Sequence, residues 1–547
     1  MKRKLFPILR SVFGIFFSIF ILNSMPRSSG LLLIKIEKPG GSARLFSPVE
    51  GARLIQSLES GWIAVCSSGR GPTLGGRGIS FQILDTDPAG KTYYLVRLPA
   101  AGDIVLLKKL GNVRRLEDRL CLFWCDRPEV REILPSRFLL KQLPTGTIPL
   151  QALQSRPGPQ RKRDLRSSRN PIISRTVNQV SGASLGALIR KLEDFQTRYS
   201  STPQCESAGT YLFNFLNDLG LQTGYDSFSF GNGYVSRNVV GVIPGRVAPD
   251  REVIICGHYD SFSDQARTLA PGADDNASGT AAVMELARIM KDQAFNFSLK
   301  FICFSAEEWG LLGSQHYALE GMRSREKIIG VINMDMIAFV DKRPEDLDLI
   351  VDRGSEWLAD EFSAAAEKYA PLPLLKIVDA SFSWSDHSSF WDQGFSALCG
   401  IEDAEPANPN YHQTTDTLDK LDLDFCASVA RAELAAAAEL AEPLSSPPAP
   451  TGLRAQSQIS SSLFWAIKTV YLNWNSAAGA TKGYNIYRTT ASHGTYQRIN
   501  SSLLGQPSYV DSFLDPDTKY YYVVTALDDL GRESNYSEEV KDDENNG

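Results

Sequence analysis

Five short apolar runs govern what this chain can fold into: Val239–Ile243, Val253–Cys256, Leu299–Phe304, Ile328–Met334 and Ala397–Ile401. None alternates apolar with polar residues, so each reads as a strand covered on both faces. Stretches with helical spacing lie around and between them: Leu185–Tyr199, Ala208–Leu219, Thr280–Lys291, Ser355–Tyr369 and Asp424–Ala441. This alternation predicts a doubly wound α/β domain over residues 173–446, with a mixed, mainly parallel sheet.

The flanks have a different texture. Lys2, Arg3 and Lys4 precede an apolar run from Ser11 to Met25. A comfortable bilayer span needs about 20 apolar residues. The shorter run therefore reads as a secretory signal over residues 1–29 or, left uncleaved, as an N-terminal anchor and the chain's only route to a membrane. The expected location is secreted, or periplasmic and cell-envelope. Residues 30–145 hold strand-like runs (Leu31–Ile36, Trp62–Cys66, Tyr93–Leu98, Ile104–Leu107) punctuated by Gly and Pro. They predict a β-rich region with no chemistry of its own, either a prosegment or a packing module. Residues 146–172 form a basic linker, with Pro157-Gly158-Pro159 before Arg161-Lys162-Arg163. It suits a tether or a processing site. After the stiff Pro447-Pro448-Ala449-Pro450, strands with alternating apolar positions (Val470, Leu472, Trp474; Tyr520, Tyr522, Val524, Ala526) predict a β-sandwich over 447–540. No cysteine lies in that segment, which excludes a disulfide-pinned antibody-type domain. With Pro450–Leu453, Trp474, Tyr484–Arg488, Tyr520–Ala526 and Glu533-Ser534, it resembles a fibronectin type III domain. Such a module fits contact with a cell surface or polymer. Residues 541–547 are a polar tail.

Charge excludes one class of partner. The 57 basic and 63 acidic residues leave a net charge of −6, without the global basic footprint of a nucleic-acid binder. A mean hydropathy of −0.18 excludes a polytopic membrane protein. The eight cysteines are scattered over 547 residues, unlike a dense disulfide framework. Cys256, Cys303 and Cys399 lie in apolar runs and read as core, which leaves room for one or two disulfides. Only five histidines occur, at 258, 316, 387, 412 and 493, so any imidazole chemistry must use these.

Metal-ligand residue types recur where the apolar runs end. Val253–Cys256 leads into Gly257-His258-Tyr259-Asp260, Leu299–Phe304 into Ser305-Ala306-Glu307-Glu308, and Ile328–Met334 into Asp335. Between the first two lies Pro271–Gly279, with Asp274-Asp275-Asn276 just before a helix. In open α/β sheets, sites form at the carboxyl ends of the strands. Taken singly, each motif has a bland reading, as a turn, a cap or a solvated loop. Together and in order they bring His, Glu and Asp to one sheet edge. Asp260, two residues after His258, can orient the imidazole. Adjacent Glu307 and Glu308 diverge, so one can bind metal while the other faces a reacting water. An Asp can bridge two cations about 3.5–4 Å apart. Carboxylates mixed with imidazole suit zinc better than calcium or magnesium.

Gly257–Ser261, Pro271–Gly279, Ser305–Gly313, Asn333–Met336, Ser385-Asp386-His387 and Tyr411–Thr417 resemble, as an ordered set, the secreted co-catalytic zinc aminopeptidases. These belong with aminopeptidase Y and the glutamate-carboxypeptidase-type peptidases. The resemblance covers roughly residues 175–445 and implies two zinc ions per chain acting on peptide or protein N-termini. It makes Asp275 the bridge, His258 and Asp335 the other ligands of one ion, and Glu308 and His412 those of the other. Glu307 becomes the general base, Asp260 the orienter of His258, and Tyr411 a group that polarises the scissile carbonyl. It also makes Asp275–Asn276 a candidate cis peptide. Asp386 and His387 are expected in a pocket wall or at a helix start rather than on the metal.

Gly182-Ala183-Ser184-Leu185-Gly186 fits the nucleophile-elbow pattern, but the residues before it are too polar for the strand an elbow requires. Ser184 is expected to cap a helix instead. His316 and His493 are expected to be structural. Two other functions compete with peptide hydrolysis. One is a single-zinc transferase of the glutaminyl cyclase type. The other is a binding protein on an inactive peptidase scaffold.

Overall fold

A computed structural model describes residues 31–37, 52–67, 80–127, 129–144, 169–231, 233–404, 407–444, 447–462, 466–477, 481–528 and 532–544. The segments read as signal (1–29), most of the basic linker (146–168) and the end of the tail lie outside the described residues. The chain divides into two compact units, Met1–Pro443 and Leu444–Gly547.

The first unit is built on an eight-stranded sheet. In chain order its elements are α1 (Gly182–Glu193), α2 (Pro203–Asp218), β1 (Gln222–Phe230), β2 (Tyr234–Ile243), β3 (Ala248–His258), α3 (Gly279–Met290), β4 (Phe297–Phe304), α4 (Leu312–Ser324), β5 (Lys327–Met334), β6 (Leu347–Val351), α5 (Glu356–Tyr369), β7 (Leu374–Val378), β8 (Ala397–Ile401) and α6 (Leu423–Ala441). Their order across the sheet is β7-β6-β8-β5-β3-β4-β2-β1. Four of the seven pairings are parallel (β3–β4, β3–β5, β5–β8, β6–β7) and three are antiparallel. The sheet is therefore mixed, with a parallel centre.

The pleat explains the unalternating apolar runs. Successive side chains of β3 point to opposite faces. Val253 and Ile255 enter a core with α1, α2, α3, α5 and α6, whereas Ile254 and Cys256 enter a second core with Tyr317 of α4 and Phe390. Both faces are covered, so a polar residue is kept only where it finds a partner, as Asn333 does in Ser385. Each of these buried aliphatic side chains contributes roughly 1.5–3 kcal/mol. Ser181, rather than Ser184, caps α1, because its side chain accepts the Ser184 N–H.

The region before residue 145 forms two antiparallel four-stranded sheets. Leu31–Glu37, Gly61–Ser67 and Tyr94–Arg97 are strands as expected. Ile104–Leu107 is not: residues Ile104–Leu110 form an α-helix. Only Leu107 of that segment is buried, while Val105 is 57% exposed. The apolar run is thus one turn of a surface helix rather than a covered strand. The second unit contains two four-stranded sheets enclosing Val470, Leu472, Trp474, Tyr484, Ile486, Tyr522, Val524 and Ala526. All eight cysteines are free thiols, and Cys256, Cys303 and Cys399 are fully buried.

Candidate metal centre

The carboxyl edge of the sheet collects the acidic and imidazole side chains. His258 is the last residue of β3, Asp335 follows β5 directly, and Glu307 and Glu308 sit on the turn after β4. Asp275 lies on the loop entering α3, and its peptide bond to Asn276 is cis. His412 comes from the segment before α6. All six are buried.

Two donor groups result. His258, Glu307 and Asp335 form one, and Asp275, Glu308 and His412 form the other. Asp275 joins them, with Oδ1 3.3 Å from His258 Nε2 and Oδ2 3.2 Å from His412 Nε2. His258 Nε2 also lies 3.3 Å from Asp335 Oδ1, and His412 Nε2 lies 3.0 Å from Glu308 Oε2. Glu307 stands further off, with Oε2 4.0 Å from His258 Nε2. Both imidazoles thus point Nε2 at carboxylates.

The electrostatics of the site favour a cation. Burial alone would depress the His412 imidazolium, but Glu308 and Asp275 outweigh it and carry it up to about 10. His258 moves the same way, well above the usual histidine range. Burial pushes the Glu307 carboxyl well above its ordinary value against the pull of His258, and neighbouring carboxylates add to the rise. Glu308 is also raised, again chiefly by burial. Its Oε1 is buried without a hydrogen bond. Four carboxylates gathered out of water need cations or protons to be stable.

A surrounding layer fixes these groups. Asp260 Oδ1 accepts from the Glu307 N–H at 3.1 Å, and Oδ2 from the Glu308 N–H at 3.2 Å and from Ser200 at 2.7 Å. His258 Nδ1 meets the Asp260 backbone carbonyl at 3.1 Å and its carboxylate only at 3.6 Å. Ser385 donates to Asp335 Oδ2 at 2.6 Å. Asp416 accepts the backbone N–H of Asp274 and of Asp275 at 2.9 and 3.0 Å. Fully buried Arg198 donates to the carbonyls of Tyr259, Leu192, Pro271 and Gly272, holding the loop that delivers Asp275. In that loop Gly272 has φ +52, and a Cβ there would meet the Asp275 carbonyl oxygen at 2.4 Å. Backbone strain clusters nearby: Ala306 (φ 57) precedes Glu307, Met336 (φ 55) follows Asp335, and His412 itself has φ 56. Such left-handed residues cost roughly 1–3 kcal/mol each and mark over-determined sites.

Tyr411 stacks on His412, with ring centres 3.9 Å apart, and lines the same cavity. Burial, then the nearby Asp275 and Glu308, push its phenol well above the usual tyrosine range. Asp386 precedes the short helix His387–Asp392, and His387 Nε2 donates to the Phe382 carbonyl at 3.1 Å. His387 is in neither donor group. His316 pairs with Asp226 at 3.2 Å, and His493 is exposed in the second unit. Ser184 donates to Glu285 from within α1.

Sequence reasoning missed the contribution of the N-terminal region. Arg131, Leu139 and Leu140 line the cavity beside the donor groups. Nothing in their local sequence signals this, since the partners lie more than a hundred residues away.

Comparison with known proteins agrees with the geometry. Residues 238–437 match Peptidase family M28. A probable leucine aminopeptidase of Trichophyton verrucosum is 30% identical over 287 residues, which cover 50% of this chain and 73% of that protein. Leucine aminopeptidase 1 of Metarhizium robertsii is 28% identical over 260 residues, covering 44% of this chain and 65% of the relative. Among solved structures, the aminopeptidase LapA of Legionella pneumophila shares the fold, with a TM-score of 0.51 and 19% identity over 64% of this chain and 99% of that one. With its ligand-type residues gathered at the strand ends and a 30%-identical relative covered over most of its length, the chain belongs to peptidase family M28.

Proposed function

We propose that the chain is an exported aminopeptidase that removes the N-terminal residue of peptides with the aid of two zinc ions. The observation that carries this reading is the pair of buried donor groups joined through the two oxygens of Asp275. The donor set fits zinc, being imidazole and carboxylate with one Glu308 oxygen lacking any protein partner. His258 and Asp335 would hold one ion, Glu308 and His412 the other, and Asp275 both. Zinc bound there supplies Lewis acidity toward the scissile carbonyl and makes water a nucleophile near neutral pH.

The chain's own groups do the rest. Glu307, outside the short contacts, takes a proton from the attacking water on a carboxylate oxygen and passes it to the leaving amine. Asp260 holds the backbone of that turn, which fixes where Glu307 can reach. Tyr411, kept as a neutral phenol, donates a hydrogen bond to the carbonyl oxygen as charge develops. Export rests on the basic and apolar residues of 1–29. The second unit, read as fibronectin type III-like, holds the enzyme on a surface or polymer.

Metal analysis beside an aminoacyl-anilide panel, with and without chelator, tests the reading. About two zinc ions per chain and chelator-sensitive release of the N-terminal residue are expected. One zinc with cyclisation of N-terminal glutamine would make it a transferase instead. A protein that takes up no metal and hydrolyses nothing would leave a binding scaffold.

A further inference from the structure

The two imidazoles of the centre are oriented in different ways. His258 finds its Nδ1 partner two residues away, just past the end of its own strand. His412 finds its partner 276 residues away, in the N-terminal region, where the Ser136 carbonyl lies 2.7 Å from its Nδ1. A carbonyl only accepts, so Nδ1 carries the proton. The Nε2 lone pair then faces Asp275 and Glu308, as a metal ligand requires.

Arg131 holds this arrangement in two ways. Its side chain is buried at 1% exposure on a short helix of the N-terminal region. Nη1 donates to the Phe138 carbonyl at 2.9 Å, and Nη2 to those of Pro135 and Ser136 at 2.9 and 3.4 Å. The turn bearing the Ser136 carbonyl is thus wrapped around the guanidinium. The guanidinium also lies 4.1 Å from the centre of the Phe262 ring, and Phe262 meets the His412 ring edge-on at 5.2 Å and 84°. The segment is anchored to the peptidase body. Buried Lys141 pairs with Asp392 at 2.9 Å, the Gln142 N–H donates to the Gly310 carbonyl at 3.2 Å, and Gln315 donates to the Gln142 carbonyl at 2.7 Å.

We propose that Arg131 is a positioning residue for the centre: through the Ser136 carbonyl and through Phe262, it sets the tautomer and ring orientation of His412. This rests on the two-zinc reading and adds to it a part supplied from outside the region that matches the family. Lysine cannot replace it, since one ammonium cannot span three carbonyls in the plane of a fork.

The test uses the full chain and titrates zinc against a competing chelator, in the wild type and in Arg131→Met and Arg131→Lys. Both variants are expected to bind one of the two zinc equivalents about 10–100-fold more weakly, the usual cost of losing a group that orients a ligand. The other equivalent weakens far less, and kcat falls more than KM rises. Lys141→Met is the control. It removes one anchor of the same docked region, leaving the Gln142 and Gln315 bonds and the guanidinium in place, so it lowers the melting temperature of the metal-free protein but weakens zinc binding much less than Arg131→Met does. If Arg131→Met does not fold, Arg131→Lys and Phe262→Leu carry the same expectation. Folded Arg131 variants that keep both affinities, or lose both equally, overturn the role of Arg131. A wild type that takes up only one equivalent overturns the two-zinc reading itself.

Discussion

Glu307→Gln separates the base from the ligands. Gln keeps the length and volume of the side chain but cannot take a proton. The structure argues for a loss at the high end of the range for general bases. Glu307 is 7% exposed, so bulk water does not readily supply a substitute. Its neighbour Glu308 is committed to His412 at 3.0 Å. Asp335 is held by Ser385 at 2.6 Å and lies against His258. Neither of these two carboxylates is free to act, and kcat should fall about 10³–10⁴-fold, or about 4–5 kcal/mol at 1.36 kcal/mol per decade. Zinc content should stay at the wild-type level, because Glu307 is the carboxylate furthest from an imidazole. The assay is kcat and KM on an aminoacyl anilide, with zinc measured on the same sample. More than a tenth of wild-type kcat with zinc intact would falsify the assignment. So would loss of zinc equal to that of Glu308→Gln, which would make Glu307 a ligand.

Three further outcomes follow from the same geometry. Burial holds His387 neutral and takes it down to about 3. Because the unfolded chain binds that proton near pH 6.5 and the folded chain does not, stability present above pH 6.5 is lost as pH falls toward 3. In metal-free protein, His387→Phe should therefore flatten the melting temperature over that window, by the equivalent of a few kcal/mol; an unchanged slope argues against a neutral, buried imidazole. Ser184→Ala should leave kcat/KM unchanged and cost about 1–3 kcal/mol in urea unfolding, since its hydroxyl serves only Glu285; a thousandfold loss of activity would revive the nucleophile reading. Removing residues 447–547 should leave hydrolysis of a small anilide within about twofold. Loss of that activity in a folded protein would give the second unit more than an accessory part.

The centre was legible because its chemistry is local to strand ends. A strand covered on both faces is mostly apolar until it leaves the sheet, with the few polar exceptions hydrogen-bonded, as Asn333 is to Ser385. A carboxylate or imidazole directly after such a run therefore stands out, as His258, Glu307, Glu308 and Asp335 do. Asp275 and His412 lie on loops and needed the ordered motif set. Ile104–Leu107 misled because four apolar residues fit a buried strand and a helix turn alike, and only tertiary burial decides between them. Ser136 was invisible for another reason. It offers the site a backbone carbonyl, which every residue possesses, so no residue type could announce it. Arg131 reads locally as one more surface charge, and its burial depends on a fold formed with partners far along the chain.

Residue 260 illustrates what hydrogen-bond polarity alone can dictate. Its two carboxylate oxygens receive three donors: the backbone N–H groups of Glu307 and Glu308, and the Ser200 hydroxyl. Asparagine has nearly the same shape but offers one oxygen and one NH₂ group, so at least one backbone N–H would face another donor. Glutamate has the right atoms on a longer stem, in a position with no exposed surface. His258, bound through the backbone carbonyl of residue 260, places little demand on which side chain stands there. The demand comes from the opposite side, where two adjacent peptide groups present only hydrogens. The aspartate is thus fixed as a two-oxygen acceptor of one particular length, and the turn that carries the proposed base takes its shape from that match.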